Sequence, residues 1–241
     1  MMSRPFNRAV EAQKELQATY GMRGDFVPAV DGFSADRLER FINVRRQLVG
    51  MCGDFTEFGE AIQQMDELDK NGDEPSRGEI FGAVGNMMSG VFSFAGNIGN
   101  FTEQRNKALL AEGMGLGEYI WIYTLTYNSW LGKPANQDLE GGPTGEFSDA
   151  EQELIRRMMA HYADSLASTG QAEEAAVWQA EVGHLERTDG SGVPWADSTV
   201  PASLSAALAG FEVELNELYC PSTSTFEFSS IKKRGMSFTT N

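Results

Sequence analysis

Phe101 to Leu131 reads FTEQRNKALLAEGMGLGEYIWIYTLTYNSWL, and the two halves of this stretch decide the fold. In the first half Phe101, Ala108 and Leu109 fall at helical spacing among the polar residues Thr102 to Glu112. Gly113-Met114-Gly115-Leu116-Gly117 then stops that helix, because glycines cap a helix end in the left-handed conformation at little steric cost. A second helix follows with Tyr119, Trp121, Tyr123, Tyr127 and Trp130, the most aromatic segment of the chain. Glu118 falls in its first turn, where the positive end of the helix dipole favours a carboxylate. Such an aromatic stripe predicts a buried core helix in preference to a cofactor pocket.

Upstream, Ile80 to Thr102 contains no charged residue. The run is long enough to span a bilayer, but Asn86, Asn97 and Asn100 and many glycines make it a poor solute for hydrocarbon. Gly78, Gly82, Gly85, Ser89, Ser93, Gly96 and Gly99 recur every three or four residues. Glycine is costly in a water-exposed helix, so this stripe predicts a buried central helix closely approached by its neighbours, with a membrane segment as the alternative. Met65 to Ser76 is acidic and resembles a calcium loop only superficially. With Gly72 at the sixth position, the twelfth is Gly78, where a bidentate Glu is required, so a solvated helix connection is expected.

Nearer the start, Pro5 suits a first helical turn, with Phe6, Ala9, Val10, Leu16 and Tyr20 on one face and Gly21 ending the helix. Phe26 to Phe33 reads as an extended loop. Ser34 is placed to cap the next helix, whose apolar stripe runs from Leu38 through Phe41, Ile42, Leu48, Val49, Cys52 and Phe55 to Met65, about thirty residues or roughly 45 Å. Arg45 lies on or beside that stripe. It reads first as a side chain snorkelling at the rim, with a buried carboxylate partner as the second possibility.

Downstream, the loop 132–147 holds Pro134 and Pro143 and is the one plausible sub-boundary in a chain otherwise read as a single helical domain over 1–241. Ser148 and Glu151 have capping-box spacing and open a helix with Leu154, Ile155, Met158, Met159, Tyr162 and Leu166 inward. Gly170 breaks it before a helix carrying Ala175, Ala176, Trp178, Val182 and Leu185. Pro201 starts the last helix, with Leu204, Leu208, Phe211, Leu215 and Leu218 inward. Beyond Cys220-Pro221, Phe226-Glu227-Phe228 and Met236-Ser237-Phe238 alternate as a short hairpin or extended tail would. The expected fold is all-α: an irregular bundle of about seven helices with a short C-terminal β hairpin or extended tail.

The chain has 241 residues, 41% of them hydrophobic, and a formal charge of −16. That charge opposes binding to nucleic acid phosphates and to anionic lipid. The start, MMSRPFNRAVEAQ, lacks the apolar core of a secretory signal; apart from the membrane-segment alternative for residues 80–102, membrane contact is expected only if an N-terminal anchor has been removed. With two histidines in all, a histidine-rich metal centre is not expected. Glu181 and His184 have the Glu-x-x-His spacing of di-iron bundles, but the second copy that such a site needs is missing. Nucleophile elbows, phosphate-binding loops and dinucleotide fingerprints are also missing. Neither a catalytic set, a cofactor nor a metal is expected.

Arg105-Asn106, Ala108-Leu109-Leu110, Gly113-Met114, Glu118-Tyr119 and Trp121-Ile122-Tyr123 resemble a stretch in uncharacterised bacterial proteins that are exported or membrane-anchored. The similarity extends weakly back to Phe41-Ile42-Asn43-Val44-Arg45 and Cys52, and forward to Cys220. It implies a location, the periplasm or cell envelope, more than an activity; the alternative is the cytoplasm. In the cytosol Cys52 and Cys220 are most simply buried thiols; the resemblance to exported proteins tips the reading towards a disulfide between them. The functional expectation is a non-enzymatic structural or protein-interaction module with a protein partner, an accessory subunit of a larger assembly. The alternative is a small-molecule-binding or catalytic bundle whose pocket is formed by Arg105, Glu118, Tyr119, Tyr123 and Tyr127.

Overall fold

The computed structural model describes residues 4–56, 96–135, 146–187, 192–231 and 238–239. These residues are mostly helical, as the periodicity predicts. Helix α1 (Arg4–Tyr20) buries Ala9, Ala12 and Leu16. It ends at Gly21, whose φ of 76° is open to glycine and strained for other residues. The loop that follows contains a 3-10 turn, Arg23–Asp25.

Helix α2 (Ala35–Leu48) buries Leu38, Phe41, Ile42, Val44, Arg45 and Leu48. The expected continuous helix is interrupted here. A 3-10 turn, Val49–Met51, intervenes before residues 52–56 resume as α-helix. Gly50 lies inside the tightened turn, and nothing packs within 4 Å of where its Cβ would stand. A helix interior is poorly supported there by both propensity and packing.

Helix α3 (96–111) is more buried than its polar sequence implies: Thr102, Glu103, Arg105 and Asn106 are buried together with Ile98, Phe101, Ala108 and Leu109. Gly113 ends the segment at φ 66°, and the Met114 amide donates to the Leu109 carbonyl at 2.9 Å. That is the reversed-turn closure expected of a glycine cap. Helix α4 (Leu116–Tyr123) continues without a break into a π-helix, Thr124–Trp130. From Leu116 to Asn128 every residue except Glu118 is buried, so this is a core helix covered on all sides. Gly117 has a second use. A Cβ there would stand 2.4 Å from the Phe26 Cβ and 2.5 Å from the Arg23 carbonyl oxygen, so the 3-10 turn packs directly on the helix backbone.

Helices α5 (Asp149–Ser168) and α6 (Ala172–Leu185) form an antiparallel pair around Gly170 at φ 84°. The capping box is formed, with the Ser148 amide donating to Glu151 Oε2 at 2.9 Å. All six inward positions expected for α5 are buried; on α6, Ala175, Trp178 and Val182 are buried while Ala176 is exposed. The last expected helix is two short ones, α7 (Ala202–Leu208) and α8 (Glu212–Glu217), separated by a 3-10 turn, Ala209–Phe211, that contains Gly210.

After Cys220 the chain forms a 3-10 segment, Pro221–Phe226, and then a turn that buries both Glu227 and Phe228. The alternation read there as strand is therefore not one: both residues point into the core because helices already surround the turn. The C-terminal hairpin is not supported. Most of it lies outside the described residues, and only the two-residue pairing of Ser230–Ile231 with Phe238–Thr239 is described. Also outside them are the acidic turn 65–76, residues 136–145 of the proposed sub-boundary, and the small-residue stripe before residue 96. Within the described residues, nothing packs within 4 Å of a Cβ placed at Gly96, and no helix is long and apolar enough to cross a membrane. Buried apolar side chains from Leu16 to Phe228 form one contiguous core.

Candidate functional site

The core contains a charged centre assembled from both ends of the chain. Arg45, on the inner face of α2, is 1% exposed. Its Nη1 donates to Glu227 Oε1 at 2.5 Å and to the Tyr119 hydroxyl at 2.9 Å, and its Nη2 donates to the Leu218 carbonyl at 3.0 Å. Tyr119 in turn donates to Glu227 Oε2 at 2.7 Å, and Thr223 donates to Oε1 at 3.2 Å. The rings of Tyr123 and Tyr127 flank the guanidinium, each with its centroid 5.3 Å away, within cation–π range. Burial opposes the charge on Arg45, yet Glu227 holds its pKa well above the ordinary value. Removing one ion of such a pair strands the other in low dielectric.

Arg105, on α3, grips the same segment by its backbone. It donates to the carbonyls of Phe226, Glu227 and Ser229 at 2.9, 2.6 and 2.8 Å. Burial lowers its pKa, with the Glu227 carboxylate opposing. The Sγ atoms of Cys52 and Cys220 are 2.11 Å apart, which makes this a disulfide between residues 168 apart in sequence. Two arginines and one covalent bond from the first half of the chain thus hold the segment 218–229.

Of the five candidate pocket residues, Arg105, Tyr119, Tyr123 and Tyr127 meet at this centre, and Glu118 does not. Glu118 faces the other way and receives the Arg37 guanidinium, whose Nε lies 2.5 Å from Oε1. Arg105 and the three tyrosines have no exposed surface. Burial raises the pKa of all three tyrosines, and Arg45 opposes the rise. The hydroxyls of Tyr123 and Tyr127 have no hydrogen-bond partner among the described residues. Arg45 acts on Tyr127 electrostatically without a well-formed bond to its hydroxyl. Reading Arg45 as a rim residue is wrong, because the buried carboxylate exists 182 positions away. Glu227 was missed because it stands in a segment read as alternating strand. The one signal in the sequence was the arginine on an apolar stripe, which demands a partner.

The Glu181–His184 spacing does not form a site. Glu181 is buried and accepts the Trp195 amide at 2.6 Å, whereas His184 is exposed. Among the described residues no group of His, Cys, Asp and Glu is placed to hold a metal ion.

A second aromatic cluster lies on the far side of α4. Trp121, Tyr162 and Trp178 are mutually packed, with ring centroids 5.6, 5.6 and 4.5 Å apart, and Phe33 and Trp195 extend the cluster at 6.0 and 4.8 Å. A cavity of about 220 Å³ opens against it, between the loop before α2 and helices α5, α6 and α7. No protein-family model, curated protein or solved structure matches the chain.

Proposed function

We propose that the protein is a non-enzymatic structural or protein-interaction module of the bacterial cell envelope, an accessory subunit of a larger assembly. The observation that carries this reading is the closed centre. Arg45, Arg105, Tyr119 and Glu227, the polar groups that a catalytic pocket would present, are spent on holding the chain's own C-terminal segment. The tyrosines of the alternative reading are buried, which favours a core role for them. The disulfide supports an oxidising compartment. The net charge of −16 favours a partner with a basic face over nucleic acid.

The reading is tested in the native bacterium by fractionation combined with thiol mass-tagging under denaturing, non-reducing conditions. The expected result is recovery with the envelope fraction, both cysteines blocked, and cross-linking to one stoichiometric protein partner. Recovery in the cytosol with both thiols taking the tag, or turnover of a substrate that is lost when the core tyrosines are replaced by phenylalanine, contradicts it.

A further inference from the structure

The second aromatic cluster shares the chemistry of the first but has no internal cation among the described residues. The 220 Å³ cavity is lined by Phe33, Tyr162 and Trp178 together with the Glu174 carboxylate. Ser203 donates its hydroxyl to Glu174, and no basic side chain among the described residues pairs with that carboxylate or lines the cavity. The arginines of adjoining elements are engaged elsewhere: Arg37 with Glu118, Arg156 with Glu153 and Glu186, and Arg157 on the Gly24 carbonyl. Asp31 does not line the cavity but follows the lining residue Val30 in sequence and acts on Tyr162: burial, then Glu174 and Asp31, push the Tyr162 hydroxyl up to about 12. The indole N–H of Trp178, a residue 1% exposed, has no acceptor among the described residues. A carboxylate, aromatic rings and a residue with an unmet donor thus line a single cavity.

From this convergence we infer that the cavity binds a compact organic cation, an alkylammonium carrying an oxygen acceptor. The ammonium lies against the faces of Tyr162, Trp178 and Phe33, where the ring quadrupoles attract it. Glu174 and Asp31 supply the countercharge, and the ligand oxygen accepts the Trp178 N–H. An anion is repelled by both carboxylates. A neutral apolar molecule leaves them uncompensated and gains only the area term. The inference is independent of the envelope assignment.

The test uses the intact chain with choline as probe, followed by tryptophan fluorescence and calorimetry. The neutral carbon isostere 3,3-dimethylbutan-1-ol is titrated in parallel. Choline is expected to bind saturably at 1:1 with a Kd of about 1 mM or tighter, and the isostere at least tenfold more weakly, roughly the factor a partly screened carboxylate supplies at contact range. Glu174→Gln and Asp31→Asn each weaken choline without changing the far-ultraviolet spectrum. If Glu174→Gln fails to fold, Asp31→Asn and the isostere comparison on the unaltered protein decide the question. Absence of saturable choline binding, equal binding of the isostere, or unchanged affinity in the folded variants overturns the inference.

Discussion

Helix α4 and its π-helical extension present aromatic rings to two clusters, and the two are built on opposite electrostatic plans. Around Tyr119, Tyr123 and Tyr127 the rings enclose the chain's own guanidinium, Arg45, with Glu227 as counterion. Around Trp121, Tyr162 and Trp178 the rings meet a carboxylate at a cavity mouth and no basic side chain among the described residues. The first arrangement closes on itself and locks distant parts of the chain together. The second, also buried, borders a cavity with the same kinds of side chain. An aromatic-rich core is thus not one material: where the cation comes from separates a staple from a candidate binding site.

The largest expected effect falls on the closed side. Reducing the Cys52–Cys220 bond frees a loop closed across 168 positions, for which the chain-entropy estimate is roughly 5 kcal/mol, less any native strain. Urea unfolding with and without reductant measures this. The loss is expected to be clear while the helical spectrum of the folded state is retained.

Gly117→Ala comes next, because it strikes the helix that both clusters share. Its new Cβ meets Phe26 at 2.4 Å and the Arg23 carbonyl oxygen at 2.5 Å, and neither backbone can retreat cheaply. Overpacking of this kind costs about 1–3 kcal/mol, read as a lower denaturation midpoint with an unchanged m value.

These effects also show what the sequence disclosed. The interior of α5 is legible because its signals are local: a capping box and apolar residues at steps of three and four place Leu154 to Leu166 before any tertiary contact is known. Gly113 is legible as a helix stop for the same reason. Gly117 is not, because its need for a missing side chain arises from the turn Arg23–Asp25, far away in sequence. Arg45 announces a problem by lying on an apolar stripe, but Glu227 solves it from 182 positions away. The cavity cluster is hidden more deeply still, since Phe33, Tyr162 and Trp178 come from three separate elements and each reads alone as ordinary core or loop.

Alkaline pH is expected to lower stability through the buried tyrosines of both sides, and Tyr162 is the open side's share. The Tyr162 hydroxyl titrates near 10.0 in the unfolded chain and at about 12 when folded. Between those values the unfolded state has released a proton that the folded state keeps, so stability is fully present below pH 10 and falls as pH rises towards 12. The Tm measured from pH 9 upwards should decline over this window, and Tyr162→Phe should flatten part of the slope.

The smallest effect belongs to the neighbour of the central arginine. Arg46 pairs with Glu214 at 2.5 Å, but the two side chains are 50% and 36% exposed. Arg46→Met is expected to cost less than about 1 kcal/mol, and that difference should vanish at high salt. A larger, salt-independent loss would show that the surface pair shares the work assigned to the buried one.

A double-mutant cycle on Arg45→Met and Glu227→Leu, measured by urea unfolding, tests the closed centre most directly. Each single variant leaves the other group charged and buried, and is expected to lose about 3–5 kcal/mol. The double variant removes both charges and should lose far less than the two single losses added together. Strictly additive losses would contradict the account, because they would mean that Arg45 and Glu227 do not depend on each other and that the C-terminal segment is held by something else.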